Sequence, residues 1–248
     1  MEQSDTLPEN AAAIFEQIVT SRRSVRIFDG SPVPESVIEK SLDMALSAPN
    51  SSNLQPWEFH WVKTPELKVE LVKACLSQAA AATASEFIVC LARTATWERA
   101  RVDVLNQLEK HEKAGVRIPR AAFEYYRKLV PLMYAQGPFG LRGLLKRILF
   151  FWTGLSKPTP REPVSRHDME VWATKSTALA CENFMLAIRA YGYDTCPMEG
   201  FDSVRVRRLL DIPSDALIPM IISVGKRGPK GVTLPVIRAD RSLFVKIR

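Results

Sequence analysis

Three short stretches of this 248-residue chain hold residue types that could act together on one ligand. "SRRSVR" sets Arg22, Arg23, Ser24 and Arg26 side by side, offering guanidinium forks and a hydroxyl to a phosphate or another anion. "SAPNSSNLQPWEF", residues 47 to 59, gathers Pro49, Asn50, Ser51, Asn53 and Gln55 just before an aromatic segment. In "GYDTCPMEGFD", residues 192 to 202, Pro197 and Gly200 bracket what reads as a short irregular turn, able to aim backbone N–H groups at a ligand. Each has a plainer reading: an arginine run is also a solvated helix end, and Pro, Asn and Ser are what ordinary turns demand.

The remaining reactive residues narrow the field. His60, His111 and His167 lack metal-ligand spacing, so no metal is expected. The cysteines, at 75, 90, 181 and 196, form no CxxC pair and read as free thiols in a reducing compartment, Cys196 packing beside Pro197. Lys and Arg outnumber Asp and Glu by 34 to 27, and the net charge of +7 favours acidic ligands. No nucleic-acid motif accompanies it, and no nucleic-acid partner is expected. The polar, acidic N-terminus does not read as a signal peptide. The longest apolar run, "ILFFW" at 148 to 152, falls short of the roughly 20 residues that span a bilayer. A cytoplasmic protein is therefore expected.

The elements that must position these stretches are legible from periodicity. Ile14, Phe15, Ile18 and Val19 share one helical stripe, and Val37, Ile38, Leu42, Ala45 and Leu46 share another behind Pro34. In "WEFHWV" Trp57, Phe59 and Trp61 alternate onto one strand face, while 87–92 and 217–225 read as buried strands. Helices fall around 65–76, 97–114, 120–135 and 166–191. The last is capped by Ser165 with Asp168, can be stopped by Gly192, and is apolar nearly all round, as a helix buried in the core or between subunits would be. Few strands among many helices, with no internal repeat, predict one α+β layered domain.

In their order and spacing, "SRRSVRIF", "SAPNSSNLQPWEF", "N-x-x-LAI-x-A-x-GYDTCPMEGFD" and "ISVGKRG" resemble the nitroreductase family, and the resemblance runs through nearly the whole chain. It implies a single FMN-binding domain over residues 1–248, with a central, mostly antiparallel sheet flanked by helices. It also implies an intertwined homodimer, reduced by NADH or NADPH, and a helical lid insertion at about 97–162. By position, Arg22, Arg23, Ser24 and Arg26 would meet the FMN phosphate, ribityl chain and pyrimidine edge, with Arg26 the cation near N1 and O2. Pro49, Asn50, Ser51 and Asn53 would reach the flavin from the neighbouring subunit, with Gln55 and Trp57 fixing their turn. Pro197, Met198, Glu199 and Gly200 would lie against the ring, the Glu199 N–H toward N5. Arg238, with Arg241 in support, would clamp the phosphate where Val236 replaces a family lysine. Ser77 and Gln78 stand where the family's polar contacts to the pyrimidine edge are expected. No side chain is expected to act as nucleophile or base, because the cofactor carries the chemistry.

The implied activity is hydride transfer from NAD(P)H to a small-molecule electron acceptor: a nitroaromatic, a quinone or a related electrophile. A reductive dehalogenase of the same fold and a non-catalytic FMN-binding redox sensor are the alternatives. The stretch "FGLRGLLKRILFFWTGLSKP", 139 to 158, carries two readings. The first is a lid whose Phe151 and Trp152 contact the acceptor; the second is a basic amphipathic helix resting on a membrane surface.

Overall fold

A computed structural model describes residues 6–137 and 140–248, leaving Phe139 at the head of the 139–158 stretch outside the described residues. Its centre is β2 (Glu86–Arg93), in which six successive residues are buried. A strand covered on both faces has no polar side to show, which is why the run 87–92 does not alternate. β2 pairs antiparallel with β1 (Trp57–Val62) and with β4 (Ala216–Gly225), and β4 pairs antiparallel with β3 (Asp194–Met198). The sheet order is therefore β1-β2-β4-β3, with Phe59 opposite Cys90, Val89 opposite Ile221 and Cys196 opposite Ser223.

The two faces of the sheet carry separate cores. Phe87, Val89 and Leu91 pack with Leu71 and Ala74 of α3 (Pro65–Ala74) and with Val206 of α10 (Ser203–Leu209). Ile88, Cys90, Ile222 and Val224 pack with Ile38 and Ala45 of α2 (Glu35–Leu46) and with Cys181, Phe184 and Ile188 of α9 (Arg166–Ala190). The period-2 alternation of β2 thus assigns odd residues to one layer and even residues to the other. Phe184 is fully buried between α2 and the sheet; truncating such a ring costs about 3–5 kcal/mol.

Both ends of α9 follow from sequence. The Ser165 side chain accepts from the Asp168 N–H, and the Asp168 carboxylate accepts from the Ser165 N–H. At the other end Gly192 takes φ +82°, its N–H bonding to the Arg189 carbonyl and the Tyr193 N–H to the Ile188 carbonyl. That pair of bonds is the Schellman stop, which needs a left-handed residue at this position.

Between β2 and α9 the regular elements among the described residues are all helical: α5 (Trp97–Lys113), α6 (Arg120–Glu124), a π-helical turn (Tyr125–Leu129), α7 (Val130–Tyr134) and α8 (Leu141–Ser156). Val130 and Tyr134 pack against Leu54, Met169 and Trp172, so this segment is tied to the start of β1 and to α9.

Three features depart from the sequence reading. Residues 194–198 form β3, which takes in Pro197 and Met198, so the turn expected from Pro197 to Gly200 begins only after Met198; Pro197, opposite Ile222, is tolerated because β3 is an edge strand, where a missing N–H need break no ladder bond. α4 (Ala79–Ala82) and α10 were too short to give a periodic signal. The apolar stripe of α1 (Ala11–Ser21) has no cover among the described residues: Ile14, Phe15 and Val19 are exposed.

Candidate functional site

The arginine stretch follows directly from the end of α1 and is pinned along the outer edge of β3. Ser24 bridges to Thr195, the Val25 N–H donates to the Thr195 carbonyl at 3.0 Å, and the Arg26 N–H donates to the Gly231 carbonyl at 2.8 Å. Gly231 has to be small, because a Cβ there would meet the Ile27 carbonyl at 2.7 Å and the Val25 side chain at 2.9 Å. The result is a cleft of about 360 Å³ whose walls include Arg22, Arg23, Ser24, Arg26, Val236 and Arg238. Arg23 Nη2 is held by the Leu234 carbonyl at 2.7 Å, while Arg22 lies 4.0 Å from Glu182, a distant pairing that leaves its charge largely for the cleft.

Behind this strip lies an ionic anchor. Asp194, 4 % exposed, accepts from Arg227 Nη2 at 2.6 Å and from Arg189 Nη1 at 3.1 Å. The same two arginines bond to Ser21, Arg189 Nε to its hydroxyl at 3.0 Å and Arg227 Nη2 to its carbonyl at 3.5 Å. The residue before Arg22 is thus fixed from β3, from α9 and from the loop after β4. None of the three was singled out from sequence. The signal present was a lone carboxylate at the head of an apolar strand, beside the "GKRG" that follows β4.

Cys196 lies on the same strand. Burial pushes its thiol pKa up, and the nearby positive charges of Arg26 and Arg22 only partly offset this, so the thiol stays protonated at neutral pH. The turn after β3 is reached from α3's end: the Gln78 side chain donates to the Gly200 carbonyl at 2.9 Å, and Leu76 and Ser77 adopt left-handed φ to bring it there. Gly200 has no left-handed φ and a Cβ on it would meet nothing within 4 Å, so within the chain itself its glycine is not required. Met198 is buried at the end of β3, and Glu199 and Gly200 are exposed beyond it.

The second stretch sits at the opposite edge of the sheet, leading into β1. Ser52, Asn53 and Gln55 have φ of 59°, 49° and 44°, a left-handed conformation that side chains other than Gly adopt at a cost of about 1 kcal/mol or more each. Short polar side chains hold it. Asn50 Oδ1 accepts from the Gln55 N–H at 2.8 Å, Ser51 Oγ lies 2.9 Å from the Tyr134 hydroxyl and Ser52 Oγ 2.7 Å from the Tyr125 hydroxyl. The hydrogen-bonding residues of this stretch therefore shape its own backbone first. Pro49 precedes the loop, and Asn50, Ser51 and Ser52 open onto a cleft of about 570 Å³ walled also by Tyr125, Met133, Trp172 and Leu179.

β1 and β3 lie three strand spacings apart, about 14 Å. Within one chain, then, Arg22 to Arg26, Arg238 and the β3 turn are gathered at one edge, and the 49–55 loop at the other. Arg241 opens a one-turn helix, Arg241–Leu243, outside the cleft that Arg238 helps to line. Phe151 lines a third cleft, of about 710 Å³, with Arg147, Arg161 and Asp168, whereas Trp152 is 66 % exposed and packs edge-on against Phe151.

The sequence profile of the nitroreductase family matches residues 19–127 and 147–226, and the chain belongs to that family of oxidoreductases. Among curated relatives it is 28% identical over 210 residues to an NADH dehydrogenase of Thermus thermophilus, covering 85% of each chain. Among solved structures, a nitroreductase-like protein of Streptococcus mutans superposes with a TM-score of 0.70 at 24% identity, covering 96% of this chain and 99% of that one. A protein of Exiguobacterium sibiricum solved in complex with FMN gives 0.68 at 23% identity, covering 94% and 97%. The α+β layered fold with an antiparallel central sheet, expected from the sequence, is the fold of these structures.

Proposed function

We propose that the protein is an FMN-dependent NAD(P)H oxidoreductase that works as a homodimer and passes hydride to a nitroaromatic, quinone or related electrophile. The observation that carries this reading is the cleft of three arginines, Ser24 and Arg238 beside β3, with a complementary polar loop at the far edge of the same sheet. The donor set fits FMN. Guanidinium forks and a hydroxyl suit a phosphate and a polyol, and the exposed backbone after β3 suits a ring. When bound, FMN supplies reversible hydride transfer.

The chain's residues hold, orient and tune. Arg22, Arg23, Ser24 and Arg238 bind the phosphate and ribityl end, and Arg26 places positive charge at the pyrimidine edge, where the reduced ring carries negative charge. Pro197, Met198, Glu199 and Gly200 present backbone to the ring. Pro49, Asn50, Ser51, Asn53 and Gln55 belong to the partner's half of the site, which is why they stand apart from the arginines in one chain. The bare apolar stripe of α1 fits a second copy. Helices between 97 and 162 border the acceptor's space, with Phe151 the aromatic wall.

The test is anaerobic mixing of the FMN-loaded protein with NADH and NADPH in turn. Loss of flavin absorbance, restored by a nitroaromatic or a quinone, is the expected result. Failure of both donors to bleach the flavin overturns the enzyme and leaves a flavin-binding sensor; elution as a monomer with full FMN content overturns the shared site.

A further inference from the structure

The orientation of α8 is the reverse of what core packing produces. Leu141, Leu144, Leu145, Ile148, Leu149 and Trp152 fall on one stripe of the helix, and all are exposed, from 50 % at Ile148 to 66 % at Trp152. Phe151 and Leu155 extend the stripe and are exposed too. A surface helix normally turns such a face inward. Here the face turned inward holds Gly143, Lys146 and Phe150.

That inward face is fastened by polar bonds. Lys146 Nζ, 5 % exposed as a residue, donates to the Met133 carbonyl at 2.7 Å and to the Pro163 carbonyl at 3.1 Å. Arg161 Nη1 donates to the Phe150 carbonyl at 2.6 Å, and a Cβ on Gly143 would collide with the Val164 carbonyl. Rolling the helix to bury its leucines would break these bonds and leave a cationic amine without acceptors, a loss of several charge-assisted interactions. The apolar face is held outward.

Charge indicates what covers it. From Tyr125 to Arg161 the chain contains no Asp or Glu. Among the described residues no carboxylate pairs with Arg142, Arg147 or Lys157, which lie on or just beyond α8. A groove of about 380 Å³ between α7 and α8, walled by Pro131, Leu132, Leu145, Leu149 and Arg142, continues the apolar surface toward one of these cations. A second copy pressed stripe to stripe would set like charges against each other, whereas a negatively charged lipid surface offers both an apolar interior and the opposite sign.

We propose that α8 seats the protein on an anionic phospholipid bilayer, its apolar stripe entering the headgroup boundary while Arg142, Arg147 and Lys157 meet lipid phosphates. The helix lies on the membrane and does not cross it: no helix among the described residues is long and apolar enough to span one. Of the two aromatic residues, Phe151 remains beside the protein's own cleft and Trp152 faces lipid.

Sedimentation of the full FMN-loaded chain with vesicles tests this. Vesicles of phosphatidylcholine containing a third phosphatidylglycerol are expected to carry down most of the protein, pure phosphatidylcholine much less, and added salt is expected to weaken the binding. Leu145→Glu with Ile148→Glu should lower partitioning by at least about tenfold while flavin absorbance and melting temperature stay put, since both positions are exposed. Arg142→Ser with Arg147→Ser, which leaves the stripe intact, should abolish the preference for the anionic vesicles. Tryptophan emission should shift blue on vesicle addition, and Trp152→Phe should remove most of that shift. The proposal is overturned if the parent chain stays in the supernatant, if the Glu variant sediments as before, or if the Glu variant changes the oligomeric state without any vesicle binding by the parent.

Discussion

The anchor at Asp194 allows a quantitative test of how the arginine strip is positioned. Asp194→Asn keeps the shape and one acceptor oxygen but removes the charge facing Arg189 and Arg227. Three bonds are affected: Arg227 Nη2 at 2.6 Å, Arg189 Nη1 at 3.1 Å and Arg227 Nε at 3.3 Å. Breaking a wholly buried pair costs about 3–5 kcal/mol. Here Asp194 is buried, but the side chains of Arg189 and Arg227 are 26% and 35% exposed and can recover water, so a loss of about 2–3 kcal/mol is expected. For a domain of this size that corresponds to a fall in melting temperature of roughly 4–12 °C. Because Ser21 loses its restraint together with Asp194, FMN affinity should fall in the same variant although no residue of the cleft has changed.

Thermal unfolding followed by circular dichroism, and FMN titration followed by flavin fluorescence, read the two effects separately. Asp43→Asn, on the exposed side of α2, is the control and should move neither by more than about 0.5 kcal/mol. If Asp194→Asn melts within a degree of the parent and binds FMN equally well, the anchor does not position the strip and the reasoning fails.

Two further outcomes are expected. Arg22→Ala and Arg26→Ala should each weaken FMN binding by about 1.5–3 kcal/mol, roughly ten- to a hundredfold, with the melting temperature of the unloaded protein nearly unchanged; FMN retained as tightly as in the parent would remove that arginine from the site. Arg93 joins β2 to Glu58 and to Asp215, at 3.0 Å from the latter. Burial alone would raise both carboxyls, yet the His60 and Arg93 bonds hold Glu58 below its ordinary 4.5, and the Arg93 and Ala95 bonds hold Asp215 below 3.8. Depressed carboxyls stabilise above their unfolded values and lose that contribution as pH falls through the folded ones. The urea midpoint should therefore drop below about pH 4.5, and Arg93→Met should flatten this acid limb; an unchanged slope would refute the assignment.

Much of this architecture was legible because it repeats. β2, β4 and α9 announce themselves through runs of 8, 10 and 25 residues whose apolar pattern has one reading, and Ser165, Asp168 and Gly192 mark the ends of α9. β3 was missed because Pro197 and Gly200 look like turn residues, and only the position of β3 at the sheet edge makes the proline acceptable. The direction of α8 was not legible at all: amphipathicity shows that a helix has two faces, and only Lys146 and Gly143, met in three dimensions, show which one is inside. In the candidate site, the arginine strip and the 49–55 loop were recognisable as local stretches. Asp194 with Arg227, and Ser51 and Ser52 with Tyr134 and Tyr125, are pairings across 33 and more than 70 residues, and no local spacing encodes them.

The loop at 50–55 has a consequence for the energetics of association. Three consecutive-turn residues without the freedom of glycine are held left-handed, and bonds from Asn50 and from two tyrosines of the helical segment fix the arrangement. The unfavourable part of that arrangement is met when the chain folds, by contacts such as the burial of Leu54. A molecule arriving later finds the polar atoms already immobile. Little ordering entropy remains to be lost, and little structural relaxation follows when the molecule departs. Such a surface should bind and release with the same shape.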